Sequence, residues 1–144
     1  MHLPATASLV DGKYMSFFRD FLRFSRGGNP VPEALDAQAQ FLSNREDLSS
    51  EKWVAEVLRS CSVRHQIAAF AYEFFASLNI PIGKIRCNDH LKDHLHLKEA
   101  LQDDWDEELN DDFKRRFKGN LGRWPHILTM SDLLLFLNGQ VPAG

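Results

Sequence analysis

The sequence predicts an all-α fold, a small helical bundle. Three observations carry that expectation. Apolar residues recur at helical spacing in one segment after another, capping and breaking residues stand at the segment ends, and no alternating pattern is long enough for a sheet. The organising stretch is LQDDWDEELNDDFKRRF, over 101–117. Coiled as a helix, it places Trp105, Leu109, Phe113 and Phe117 on one stripe, with Leu101 just before it. Asp104, Asp106, Glu107, Glu108, Asp111 and Asp112 cover the other faces. An apolar stripe with a charged remainder marks an amphipathic helix packed on a core. Acids lead and Lys114, Arg115, Arg116 and Lys118 follow, which suits the helix dipole at both ends.

A chain of 144 residues is the size of one domain, or of a small domain with an ordered extension. At 44% hydrophobic residues it can bury a core, which argues against wholesale disorder. The net charge of −3 is too small to name a partner. Its distribution says more: Lys13, Arg19, Arg23 and Arg26 sit in the first quarter, and the densest acids fall between Asp103 and Asp112. Cys61 and Cys87 are far apart in sequence, in no metal-ligand or redox spacing, and are expected as two reduced thiols. No apolar run approaches the ~20 residues of a membrane span. The first 15 residues, MHLPATASLVDGKYM, lack the pattern of a signal peptide, so the expected location is the cytoplasm.

Taken in order, residues 1–12 read as a loose leader. Tyr14, Phe17, Phe18, Phe21 and Leu22 then predict a helix over 13–25, closed by Gly27-Gly28-Asn29-Pro30. A membrane-surface anchor is one reading of that aromatic, basic helix. Packing on the same domain is preferred, because the helix is short and Asp20 mixes its charge. Pro32 opens a second helix with Leu35, Ala39 and Leu42 inward. Ser49 or Ser50 caps a third, carrying Trp53, Val54, Val57, Leu58 and Cys61. Ser62 is expected to cap a fourth, with Val63, Ile67, Phe70, Ala71, Phe74, Phe75 and Leu78 as its stripe, closed by Asn79 and Pro81. A loop over 80–93 follows, anchored by Ile82, Ile85 and Leu91, then a short helical turn within 94–101. The acidic helix stops near Gly119. Thr129 caps the last helix, with Asp132 completing a capping box, Leu133, Leu134, Phe136 and Leu137 buried, and Gly139 ending it.

From Ser62 onward the order is long helix, long loop, acidic helix, short connection and final helix. This order resembles the acyl carrier protein fold. Ile80-Pro81-Ile82-Gly83-Lys84-Ile85, Asn88-Asp89-His90-Leu91 with Asp93-His94-Leu95, Leu101 to Leu109, and Thr129-Met130-Ser131-Asp132-Leu133 are similar to that family's successive motifs. The resemblance covers the second half of the chain and divides it into a helical extension, 1–61, and a carrier-like bundle, 62–140. It implies an acidic helix used as a docking face. It also implies lost carrier chemistry, because Asp103 stands where the family's serine takes the phosphopantetheine arm.

No catalytic set, cofactor or metal is expected. His90, His94 and His96 lie close together, but only the first two share the i, i+4 spacing, and no HExxH is present. Acids along an outer helical face are solvated rather than poised for proton transfer. There is no phosphate-binding glycine loop, and Lys114 to Lys118 beside the acids do not make a nucleic-acid surface. The favoured function is a non-enzymatic interaction module. It would present Asp103, Asp104, Asp106, Glu107, Glu108, Asp111 and Asp112 to a basic protein surface. Alternatives are an inhibitor or immunity protein that blocks a toxin or nuclease by acidic mimicry, a metal-binding protein built on the three histidines, and a true carrier using another serine.

Overall fold

The structure, a computed structural model, describes residues 31–101 and 104–142. The leader, the helix expected over 13–25, and Gln102 and Asp103 lie outside the described residues. Among the described residues there are six α-helices and no strand, in agreement with the all-α expectation. They are α1 (Pro32–Leu42), α2 (Ser50–Ser60), α3 (His65–Ser77), α4 (Leu97–Leu101), α5 (Trp105–Phe117) and α6 (Met130–Gln140), with a 3₁₀ turn at Ile82–Lys84. None of these helices is long and apolar enough to cross a membrane.

Helix α3 is the axis of the core. Ile67, Ala68, Phe70, Ala71, Phe74 and Phe75 are all buried on it. Its start differs from the expected Ser62. The helix begins at His65, and the orphan backbone N–H of Arg64 is satisfied from outside, donating to Asn138 Oδ1 of α6 at 2.8 Å. Its end is a Schellman motif. Asn79 takes the left-handed conformation (φ 64°), Ile80 N donates to Phe75 O and Asn79 N donates to Ala76 O. Asparagine tolerates that conformation better than most side chains, and buried Ile80 supplies the accompanying apolar contact.

The other helices pack on this axis through aromatic rings. Phe113 of α5 meets Phe70 edge-on at 5.9 Å, and Phe117 meets it at 5.5 Å. Trp105 tilts against Phe75 at 5.9 Å. On α2, Trp53, Val54 and Val57 turn inward, while Leu58, expected inside, is exposed. Trp53 satisfies its indole N–H on Ile85 O at 2.9 Å, so the largest side chain of α2 enters the core without an unpaired donor. Ser49 caps α2 and accepts from Lys52 N.

Helix α1 is rotated from the expected face. Leu35 is 40% exposed, and the buried positions are Ala34, Gln38 and Leu42. Periodicity could not show this, because a polar residue fixes the rotation. Gln38 Nε2 donates to Leu95 O at 2.6 Å, and Phe41 stacks on His94 at 4.5 Å. Helix α6 opens with the capping box expected at Thr129 and Asp132, and buries Leu133, Leu134 and Leu137. Gly139 does not end it. The helix continues to Gln140, with Gly139 exposed on its last turn.

One buried ion pair ties the loops to this frame. Asp89 is 4% exposed. Its Oδ2 accepts from Arg45 Nη1 at 2.5 Å and from Arg86 N at 2.7 Å, and its Oδ1 accepts from Arg45 Nη2 at 2.9 Å. Arg45 also donates to Lys84 O and lies 4.7 Å over the Phe41 ring. The backbone of the same loop pairs with the start of α6. Leu91 N donates to Leu128 O, Met130 N to Asp89 O and Ser131 N to Cys87 O, around an isolated antiparallel bridge between His90 and Thr129.

Four expectations follow. Removing Arg45 leaves the buried Asp89 carboxylate unpaired, so Arg45→Met costs about 2–4 kcal/mol, whereas Asp89→Asn leaves a partly exposed guanidinium and costs about 1–2 kcal/mol. The double variant costs clearly less than their sum, whereas additive losses in urea denaturation would rule out coupling. At Gly83, a Cβ would fall on Leu48 O and Asp47 Oδ1, so Gly83→Ala destabilises by about 1–3 kcal/mol. Gly139 has nothing within 4 Å, and Gly139→Ala stabilises by a few tenths up to ~1 kcal/mol. Asp132 is held below its ordinary value of 3.8, chiefly by the backbone N–H of Thr129 and then by that of Leu128. Folding therefore favours its charged form. The contribution is complete above pH 3.8 and is lost as pH falls through the lower folded value. Asp132→Asn should flatten that acid limb of the stability profile; an unchanged limb would remove Asp132 as its source.

Candidate functional site

Helix α5 sorts its side chains by angle. Leu109 and Phe113 are fully buried, and Trp105 and Phe117 are half-buried against the core. Glu107 and Asp111 are exposed, whereas Asp104, Asp106, Glu108 and Asp112 are half-exposed. The seven acids read from the sequence are therefore not one uniform face. Asp112 faces its own helix's last turn and pairs with Arg115 at 2.5 Å, its side chain 18% exposed. Arg116 reaches across to Glu73 of α3 at 2.8 Å. Asp112 and Glu73 are thereby each paired with an arginine. The acids concentrate in the first two turns: Asp104, Asp106, Glu107, Glu108 and Asp111. Asp103 lies outside the described residues.

A groove of about 650 Å³ adjoins those two turns. Leu91, Leu97, Trp105, Trp124 and Ile127 give it apolar walls, and Lys92, Lys98, Glu99 and Asp106 give it charge. Its size is that of a pocket able to take one or two apolar side chains or a small ligand. Two tryptophans build one wall. Trp124 meets Trp105 edge-on at 5.8 Å, leans on Phe136 at 5.4 Å, and donates its indole N–H to Asn110 Oδ1 at 3.1 Å. These contacts fix both rings in place. Asp106 belongs to the groove and to the acidic turns alike.

The groove was not legible in the sequence. Trp124-Pro125 stands there in NLGRWPHIL, the connection between the acidic helix and the last one. The one available signal was a tryptophan in a connection whose other large apolar side chain before Ile127 is Leu121.

The histidines do not converge. His90 and His94 have ring centroids 4.7 Å apart, but His94 Nδ1 accepts the backbone N–H of His90 at 3.0 Å and its ring is stacked on Phe41. His90 Nδ1 is 3.7 Å from Asp93 Oδ2, beyond hydrogen-bond reach. His96 sits at φ 50°, at the start of α4, where its carbonyl accepts from Ala100 N. Among the described residues no three His, Cys, Asp or Glu side chains cluster as metal ligands would. The two cysteines behave oppositely: 26 positions apart in sequence, their sulfurs lie 3.5 Å apart in the core. Comparison with protein-family models, with curated proteins and with solved structures gives no match for this chain.

Proposed function

We propose that the protein is a non-enzymatic interaction module that offers the first two turns of α5, with the adjoining groove, to a partner of basic surface. The observation that carries this reading is the shared position of Asp106. A carboxylate cluster and a tryptophan-walled groove meet there, so one partner segment can place a cation and an apolar anchor side by side. Rigid aromatic anchors flanked by charge are what a binding hot spot is made of. Helix α5 is itself held by the Phe70 and Phe75 contacts, so the face needs no ordering when a partner arrives. The resemblance to acyl carrier proteins supports the same reading, because that family meets its enzymes through an acidic helix.

The test uses peptides with one leucine or phenylalanine flanked by Lys and Arg, titrated into the full chain. Tryptophan emission reports the Trp105–Trp124 pair. Affinity should fall roughly tenfold from low to physiological salt, since exposed charges are screened beyond about 10 Å. Neutralising Asp104, Asp106, Glu107 and Asp111 to their amides should abolish the salt-dependent part. Equal binding by the neutralised variant would remove the proposal.

A further inference from the structure

Cys61 and Cys87 come from different parts of the chain and meet in the core. Cys61 ends α2, and Cys87 lies in the loop that carries Asp89. Their sulfurs are 3.5 Å apart, and both residues are buried. The backbone holds each in place. Cys61 N donates to Val57 O at 2.7 Å, and Cys87 O accepts from Ser131 N at 2.9 Å. Ser131 Oγ lies 3.2 Å from Cys61 Sγ. A disulfide needs the sulfurs at about 2.05 Å, so roughly 1.5 Å must be closed, within reach of small side-chain rotations.

We propose that Cys61 and Cys87 are a modification site, an intramolecular disulfide formed by reaction with a low-molecular-weight disulfide. The Cys61 thiolate, reached on local opening at the end of α2, attacks one sulfur of the oxidant RSSR. This forms a Cys61–SR mixed disulfide and releases RS⁻, which takes the proton Cys61 gave up. Cys87 then loses its proton to water and attacks Cys61 Sγ. The second RS⁻ leaves and is protonated in turn. Two protein thiols are oxidised and one RSSR is reduced to two RSH.

The order follows from the surroundings. Burial first, and the neighbouring Cys61 second, push the Cys87 thiol up to about 12, so Cys87 is a poor first nucleophile in solution. Once Cys61 carries a leaving group, Cys87 already lies against the sulfur it must attack, and proximity offsets its scarce thiolate. The pair therefore stays reduced without oxidant and closes faster as pH rises. Closure would pin the end of α2 to the loop anchored by Asp89, across 26 positions of chain.

The experiment treats the full chain with oxidised glutathione at mildly alkaline pH, followed by intact mass, non-reducing peptide mapping and thermal unfolding. The expected product is a monomer lighter by two hydrogens, with Cys61 and Cys87 peptides cross-linked. Its Tm is raised by roughly 5–10 °C, and dithiothreitol reverses the change. Cys87→Ser should retain glutathione on Cys61. Stable glutathione adducts on the wild-type chain, cross-linked dimers only, or unreacted thiols in a chain that stays folded would each overturn the proposal. Should the serine variant fail to fold, the wild-type peptide map decides alone.

Discussion

The carboxylate of Asp89 is the constraint on which the loops depend. A charge moved out of water is tolerated only where its lone pairs are filled, and here Arg45 fills them from the α1–α2 connection and Arg86 N from the loop itself. That requirement dictates geometry. Arg45 must lie where Lys84 O and the Phe41 ring can hold it. The loop must then pass beside the start of α6, where Asp89 O and Cys87 O receive the N–H groups of Met130 and Ser131. These backbone bonds satisfy orphan donors of α6 that would otherwise be desolvated. The same pairing brings Leu91 against Leu128, and so places Leu91 and Ile127 on the walls of the groove. A buried charge at one end of the loop thus shapes an apolar surface at the other.

Aromatic packing does the corresponding work for α5. Phe70 and Phe75 of α3 receive Phe113, Phe117 and Trp105, and Trp105 in turn receives Trp124. Ring pairs of this kind add about 0.5–1.5 kcal/mol each beyond the area they bury. Their greater consequence is rotational. With three rings seated, α5 has one orientation, and the angles of Glu107 and Asp111 to solvent follow from it.

Much of the fold was legible because local chemistry and packing agree. The capping box of Thr129 and Asp132, the Asn79 stop and the Trp105–Leu109–Phe113–Phe117 stripe are all local signals. What could not be read depends on groups distant in sequence. The face of α1 is chosen by a bond from Gln38 to Leu95, 57 positions away. The start of α3 depends on Asn138, 74 positions away, so Ser62 lost a contest the sequence does not display. Asp89 looks like a loop aspartate until Arg45 is placed beside it. The acids of the candidate site were visible individually. Their division was not, because Arg115 neutralises Asp112 and the groove comes from a separate connection.

That division gives the site a direction. The helix dipole puts about half a positive charge at the N-terminus of α5, far less than the five carboxylates gathered on its first two turns. At the other end, Lys114, Arg115 and Lys118 are exposed, and each pair they could form with an acid is weakened by water. On the proposed reading, a cationic segment would favour the first two turns over the last. The groove opens beside Asp106, so on that reading an apolar residue of the same segment would enter next to the acids. If the proposal holds, the charge distribution and the fixed groove together would favour one orientation of the bound segment, which neither the acids nor the tryptophans would favour alone.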